Sequence, residues 1–128
     1  MKTVPPTDTD IRYEIETTLI RIGVPSSLIG FRYVVDAITM VVMDRNVINF
    51  ITNGIYGDIA AKYNTSNKCV ERRIRHMIDM AYERANMEKL ETYVGYPNAR
   101  TGKLTNGEFI SNFARTVWYK VYGGYDYE

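Results

Sequence analysis

The chain has 128 residues, 45% hydrophobic and 24% charged, the balance of one ordinary folded domain and not of a disordered, collagen-like or disulfide-scaffolded chain. Its longest apolar stretch, Ala37 to Met43, is far short of the roughly 20 residues that span a bilayer, and the opening MKTVPPTDTD lacks the apolar run of a signal peptide. The net charge of +1 is unevenly spread: from Ala60 to His76, Lys62, Lys68, Arg72, Arg73 and Arg75 meet Glu71 alone, so that segment carries +4 and the remainder −3, a weak pointer to a polyanionic partner.

Residues 1–7, with Pro5-Pro6, are expected to form a flexible arm, residues 8–122 a single helical domain, and residues 123–128 a tail. Asp8 or Asp10 is placed to cap a first helix whose Ile11, Ile15, Leu19 and Ile22 share one face, and Gly23 stops it. A second helix follows Gly30, and its broad apolar face (Val34, Val35, Ile38, Val41, Val42) marks it as the central one. A helical turn around Val47–Ile51 leads to Asn53-Gly54, a turn signal. Ile55 to Tyr63 is again helical, and Asn64-Thr65-Ser66-Asn67 breaks the pattern with four turn- and cap-forming residues. The spacing then predicts helices over 68–84, 87–94 and 106–122. Strand signals are nearly absent, so the expected fold class is all-α, six to seven helices with a helix-turn-helix at about 55–84.

On the helix 68–84, Val70, Ile74, Met77, Ile78 and Ala81 gather on one side, while Lys68, Arg72, Arg75, His76 and Asp79 lie opposite, with Glu71 at the edge. An arginine fork can bond O6 and N7 of guanine, and a glutamate can accept from N4 of cytosine. Lys62, Thr65, Ser66 and Asn67 suit phosphates, and Lys68, Arg73 and His76 complete the phosphate candidates. The same pattern also suits a solvated face, with Glu71 paired to Arg75 at i,i+4, and the four-residue turn is one longer than the standard motif. Periodicity alone leaves both readings open.

Other chemistry lacks its parts. His76 is the only histidine, so neither a zinc site nor a serine triad is available. No glycine-rich phosphate loop is present, and neither catalysis nor a cofactor is expected. The single cysteine, Cys69, closes no internal disulfide, and a reducing cytoplasm is the expected location. Beside Lys68 and Arg72, Cys69 is either a redox-sensitive thiol or, more in keeping with cysteine generally, a partly buried structural one.

The run Ile59-Ala60-Ala61-Lys62-Tyr63-Asn64-Thr65-Ser66, followed by Val70-Glu71-Arg72-Arg73-Ile74-Arg75-His76, resembles the DNA-binding effector domain of the sporulation master response regulator. Ile22-Gly23-Val24-Pro25 with Gly30-Phe31-Arg32-Tyr33, Asp36-Ala37-Ile38-Thr39-Met40-Val41 and Leu104-Thr105-Asn106-Gly107-Glu108-Phe109-Ile110 agree in order and spacing, so the similarity runs from about Thr18 to Val117. The resemblance implies a six-helix transcription factor that binds double-stranded DNA at short promoter elements, often as tandem copies, and contacts RNA polymerase. It assigns base reading to Glu71, Arg72 and Arg75 and phosphate contacts to Lys62, Thr65, Ser66 and Arg73 or His76. Cys69 stands where the family favours arginine, Arg73 where it has a small residue and Gly57 where proline is usual. The family's N-terminal receiver domain has no counterpart here, which leaves two forms open: a fragment, or a free-standing receiver-less regulator. The alternative function is a helical protein-interaction module that binds the full-length regulator or RNA polymerase without reading DNA.

Overall fold

Regular burial of every third or fourth residue organises the chain. The computed structural model describes residues 4–97 and 99–123, so the C-terminal tail lies outside the described residues save for Gly123. The helices are α1 (Asp8–Ile22), α2 (Ile29–Met43), α3 (Gly57–Tyr63), α4 (Asn67–Arg84), α5 (Met87–Val94) and α6 (Asn106–Tyr122). A 3-10 segment (Arg45–Phe50) and one π-helical turn (Ile51–Tyr56) join α2 to α3. No strand occurs among the described residues.

The spacing in α1 holds, with Ile11, Ile15, Leu19 and Ile22 all buried. Its cap does not fall on Asp8 or Asp10 but on Thr7. The Thr7 hydroxyl accepts from the Asp10 amide at 3.1 Å and the Asp10 carboxylate accepts from the Thr7 amide at 2.9 Å, a reciprocal box that satisfies two otherwise orphaned donors. Asp8 is left free to pair with Arg12 at 2.7 Å. Gly23, at φ 109°, closes the helix in the left-handed region that glycine enters without strain.

Helix α2 is buried almost all round and packs against α1, α4 and α6. It starts at Ile29, so Gly30 lies within its first turn and not ahead of it. The reason is steric. A Cβ at Gly30 would stand 2.0 Å from the Arg73 carbonyl oxygen and 2.9 Å from Met77 Cβ. Only hydrogen at this position lets the two helix backbones touch.

Asn53-Gly54 forms no separate turn. Burial of Ile55 and Tyr56 carries the coil onward as a π-turn, in which the Gly57 amide donates to the Thr52 and Gly54 carbonyls. Proline at position 57 would have no N–H for that bond. At the other end of the chain, Thr105 and Glu108 form a second capping box that starts α6. Phe109 and Phe113 of α6 stack at 6.0 Å, and Tyr93 of α5 stacks on Phe113 at 5.2 Å.

One charge is buried in this frame. Asp36, on α2, keeps only 5% of its side chain exposed and accepts from Arg12 of α1, from the Tyr63 hydroxyl at 2.7 Å and from Lys62 Nζ at 3.2 Å. Burial pushes its carboxyl up, but the hydrogen bonds from Arg12, Tyr63 and Lys62 outweigh it and hold the carboxyl below the ordinary value. The carboxylate thereby ties α1, α2 and the end of α3 together.

Two outcomes are expected. Gly30→Ala drives a methyl into the α4 backbone and costs at least about 3 kcal/mol, read as a lowered urea midpoint at unchanged slope. Asp36→Asn costs roughly 1–2 kcal/mol at pH 7, since Arg12 and Lys62 can turn to water. A carboxyl depressed in the folded state contributes fully above its unfolded value, and that contribution is lost as the pH falls below about 4. Stability of the wild type should therefore fall more steeply than that of Asp36→Asn in this acid range. Parallel acid profiles would rule out a charged Asp36.

Candidate nucleic-acid interface

Three residues, Asn64–Ser66, separate α3 from α4. Asn64 takes φ 55° and ψ 53°, the left-handed conformation that asparagine tolerates better than most residues, and its amide donates to the Ala60 carbonyl. The Ser66 hydroxyl then accepts from the Cys69 amide at 3.1 Å and starts α4 at Asn67. The spacing predicts a four-residue turn and a start at Lys68. Because Ser66 caps the helix, the turn is a residue shorter and matches the usual helix-turn-helix length. Asn67 donates its side-chain amide to the Thr52 carbonyl at 3.1 Å, fastening the start of α4 to the π-turn. Ser66 and Asn67 therefore spend their side chains on the architecture of the turn.

The burial of α4 follows the predicted stripe: Val70, Ile74, Met77, Ile78 and Ala81 are buried. Lys68, Arg72 and His76, spaced by four, line the exposed side. Their side chains make no hydrogen bond or ion pair with another described residue. Helical phase puts Arg73 on the shoulder towards α2, while Glu71 and Arg75 lie on the shoulder towards α6. Glu71, Arg72 and Arg75 share the wall of an open groove of about 400 Å³ whose other side is Ile51, Thr52, Tyr56 and the first turn of α6. The three candidate base-reading residues are thus brought together.

Arg75 is not paired with Glu71. Its Nε and Nη2 donate to the Asn106 carboxamide oxygen at 3.0 and 2.7 Å, and Nη2 also donates to the Leu104 carbonyl at 3.2 Å. Lys62, expected at a phosphate, stands at the other end of the motif with its ammonium on Asp36. Thr65 is half-buried. Cys69 is half-buried too, and the Thr65 hydroxyl beside it, followed by Arg73 and Arg72, holds its thiol below the ordinary value despite slight desolvation.

Sequence reasoning missed two residues that matter here. Asp36 carried a signal, a lone acid inside an apolar helical run. Asn106 carried none, because asparagine in a helix's first turn normally reads as part of the cap. Among the described residues no cluster of His, Cys, Asp or Glu is arranged to hold a metal ion, and no helix is long and apolar enough to cross a membrane.

Comparison with known families finds a match over residues 15–117 to the one described as sporulation initiation factor Spo0A C terminal. The matched span runs from the middle of α1 to near the end of α6 and takes in the whole helix-turn-helix and the groove. The chain belongs to the Spo0A C-terminal family of sporulation initiation factors.

Proposed function

We propose that this domain is a sequence-specific, DNA-binding transcription regulator that lays α4 in the major groove of a short promoter element, with α3 crossing the backbone. The observation that carries this reading is the exposed side of α4, where Lys68, Arg72 and His76 make no hydrogen bond or ion pair with another described residue and Arg72 joins Glu71 and Arg75 in the wall of the groove. A cation left without an intramolecular partner on the second helix of a three-residue helix-turn-helix suits an external anion. Arg72 and Arg75 are three residues apart, a rise of about 4.5 Å. Base pairs stack about 3.4 Å apart, so the two arginines meet neighbouring or next-neighbouring pairs.

In this reading Glu71, Arg72 and Arg75 contact base edges, and Lys68, Arg73 and His76 contact phosphates. Ser66 and Asn67 set the start of α4 beside the phosphate backbone, where Thr65 also meets it, and Lys62 reaches it from α3. Tandem copies on the DNA and a contact with RNA polymerase, which the family resemblance implies, belong to the same proposal. The domain acts in the cytoplasm, with no catalytic step and no cofactor.

Fluorescence anisotropy of labelled duplexes, one with the family's promoter element and one scrambled, at two salt concentrations, tests the reading. A preference of ~10³ for the element with a steep salt dependence is expected. Arg72→Ala should cost about 1–3 kcal/mol on the element and little on scrambled DNA. Lys68→Ala should weaken both duplexes evenly and lower the salt slope by about one. Lys62→Ala should lower it by less, since Lys62 must give up Asp36 to reach a phosphate. Weak, equal binding to both duplexes would overturn the reading and leave the protein-interaction module in its place.

A further inference from the structure

The polar cradle around Arg75 is complete on one side and open on the other. A guanidinium has five N–H donors. The single Nε proton and the two on Nη2 go to Asn106 Oδ1 and the Leu104 carbonyl. Asn106 is itself buried, at 9% exposure, and its carboxamide nitrogen donates to the Glu71 carbonyl at 3.1 Å and the Tyr56 hydroxyl at 3.2 Å. Every polar position of the Asn106 side chain is therefore used, and its orientation is fixed by two other elements, the π-turn and α4. Only Nη1 of Arg75 lies outside the cradle. Nη1 makes no hydrogen bond and only a loose ion pair with Asp79, one turn on, which stands 3.8 Å from it and is held more closely by Lys103 at 2.8 Å.

We propose that Asn106 is a positioning residue for sequence reading, which pins the Arg75 guanidinium against α6 so that Arg75 meets the DNA through Nη1 alone. This rests on the DNA-reading function proposed above. It divides the work of the two arginines. Arg72, which has no protein partner, offers the two-nitrogen fork that matches guanine O6 and N7. Arg75 offers one fixed donor to one acceptor, at little further entropic cost because its side chain is already ordered.

The test is a panel of promoter duplexes, each with one base pair replaced, titrated against wild type, Arg75→Ala, Asn106→Ala and the double variant. Arg75→Ala first identifies the base pair at which discrimination drops. Asn106→Ala should lose about tenfold in discrimination at that same pair and nowhere else, with the salt slope unchanged. The double variant should be no worse than Arg75→Ala alone. Asn106→Asp keeps the acceptor for Arg75 while losing both donors, so it should retain discrimination at that pair even where it lowers the melting temperature. A loss spread evenly over all pairs, additivity in the double variant, or tighter and more selective binding by Asn106→Ala would each overturn the proposal, the last because Arg75 would then have to leave Asn106 to read.

A second readout needs no DNA. The Arg75 Nε–H resonance in an ¹⁵N NMR spectrum should exchange slowly with water in the wild type and in Asn106→Asp, and rapidly in Asn106→Ala. Slow exchange combined with no preference for the promoter element would mean that the cradle exists but the DNA-reading function has failed, and the positioning role would fall with it. Fast exchange in the wild type would overturn the proposal on its own.

Discussion

The contact on which the rest of the structure depends is the crossing of α2 and α4 at Gly30. Where the α2 backbone meets the Arg73 carbonyl there is no room for a side chain, so the distance between the two helices is set by main-chain atoms and not by deformable side chains. Helix α4 inherits its height and tilt from that contact. Met77, Ile74 and Val70 follow it into the core, and the opposite side of α4 is lifted clear of the domain. The exposed side of a reading helix must project at a fixed angle to dock in a groove only about 12 Å wide. A backbone-to-backbone stop gives such an angle more firmly than a layer of leucines would.

Around that stop the domain distributes its positive charge in three ways. Arg12 and Lys62 close on the buried Asp36 and hold α1, α2 and α3 together. Arg75 is anchored by hydrogen bonds to neutral oxygens, the Asn106 carboxamide and the Leu104 carbonyl, with only a loose ion pair to Asp79 at 3.8 Å. Lys68 and Arg72 are left to solvent. The cations thus range from structural to oriented to solvent-facing. A net charge of +1 therefore says little about the surface that a polyanion would meet.

Much of this was legible in the sequence. The three- and four-residue spacing of Ile11, Ile15, Leu19 and Ile22, and of Val70, Ile74, Met77 and Ile78, reports burial directly, because helical phase alone decides which side chains meet the core. What stayed hidden depended on choices that helical phase does not make. Asn53-Gly54 reads locally as a turn, yet the burial of Ile55 and Tyr56 overrides the dipeptide and winds it into a π-turn. Asp8 and Asp10 both qualify as caps by type, and the choice of Thr7 was made by geometry, since only one frame lets both members of the box bond at once. The grip of Asn106 on Arg75 joins residues 31 positions apart, and no periodicity encodes it.

The half-exposed thiol in the first turn of α4 has a practical consequence. Cys69 is the chain's one cysteine, it lies one residue from Lys68 and three from Arg72, and its neighbours favour the thiolate. The molecule thus comes with a single native attachment point for a fluorophore or spin label on the helix proposed to meet DNA. A maleimide or nitroxide adduct there would report occupancy of that surface from the unaltered sequence, with no second thiol to blur the signal.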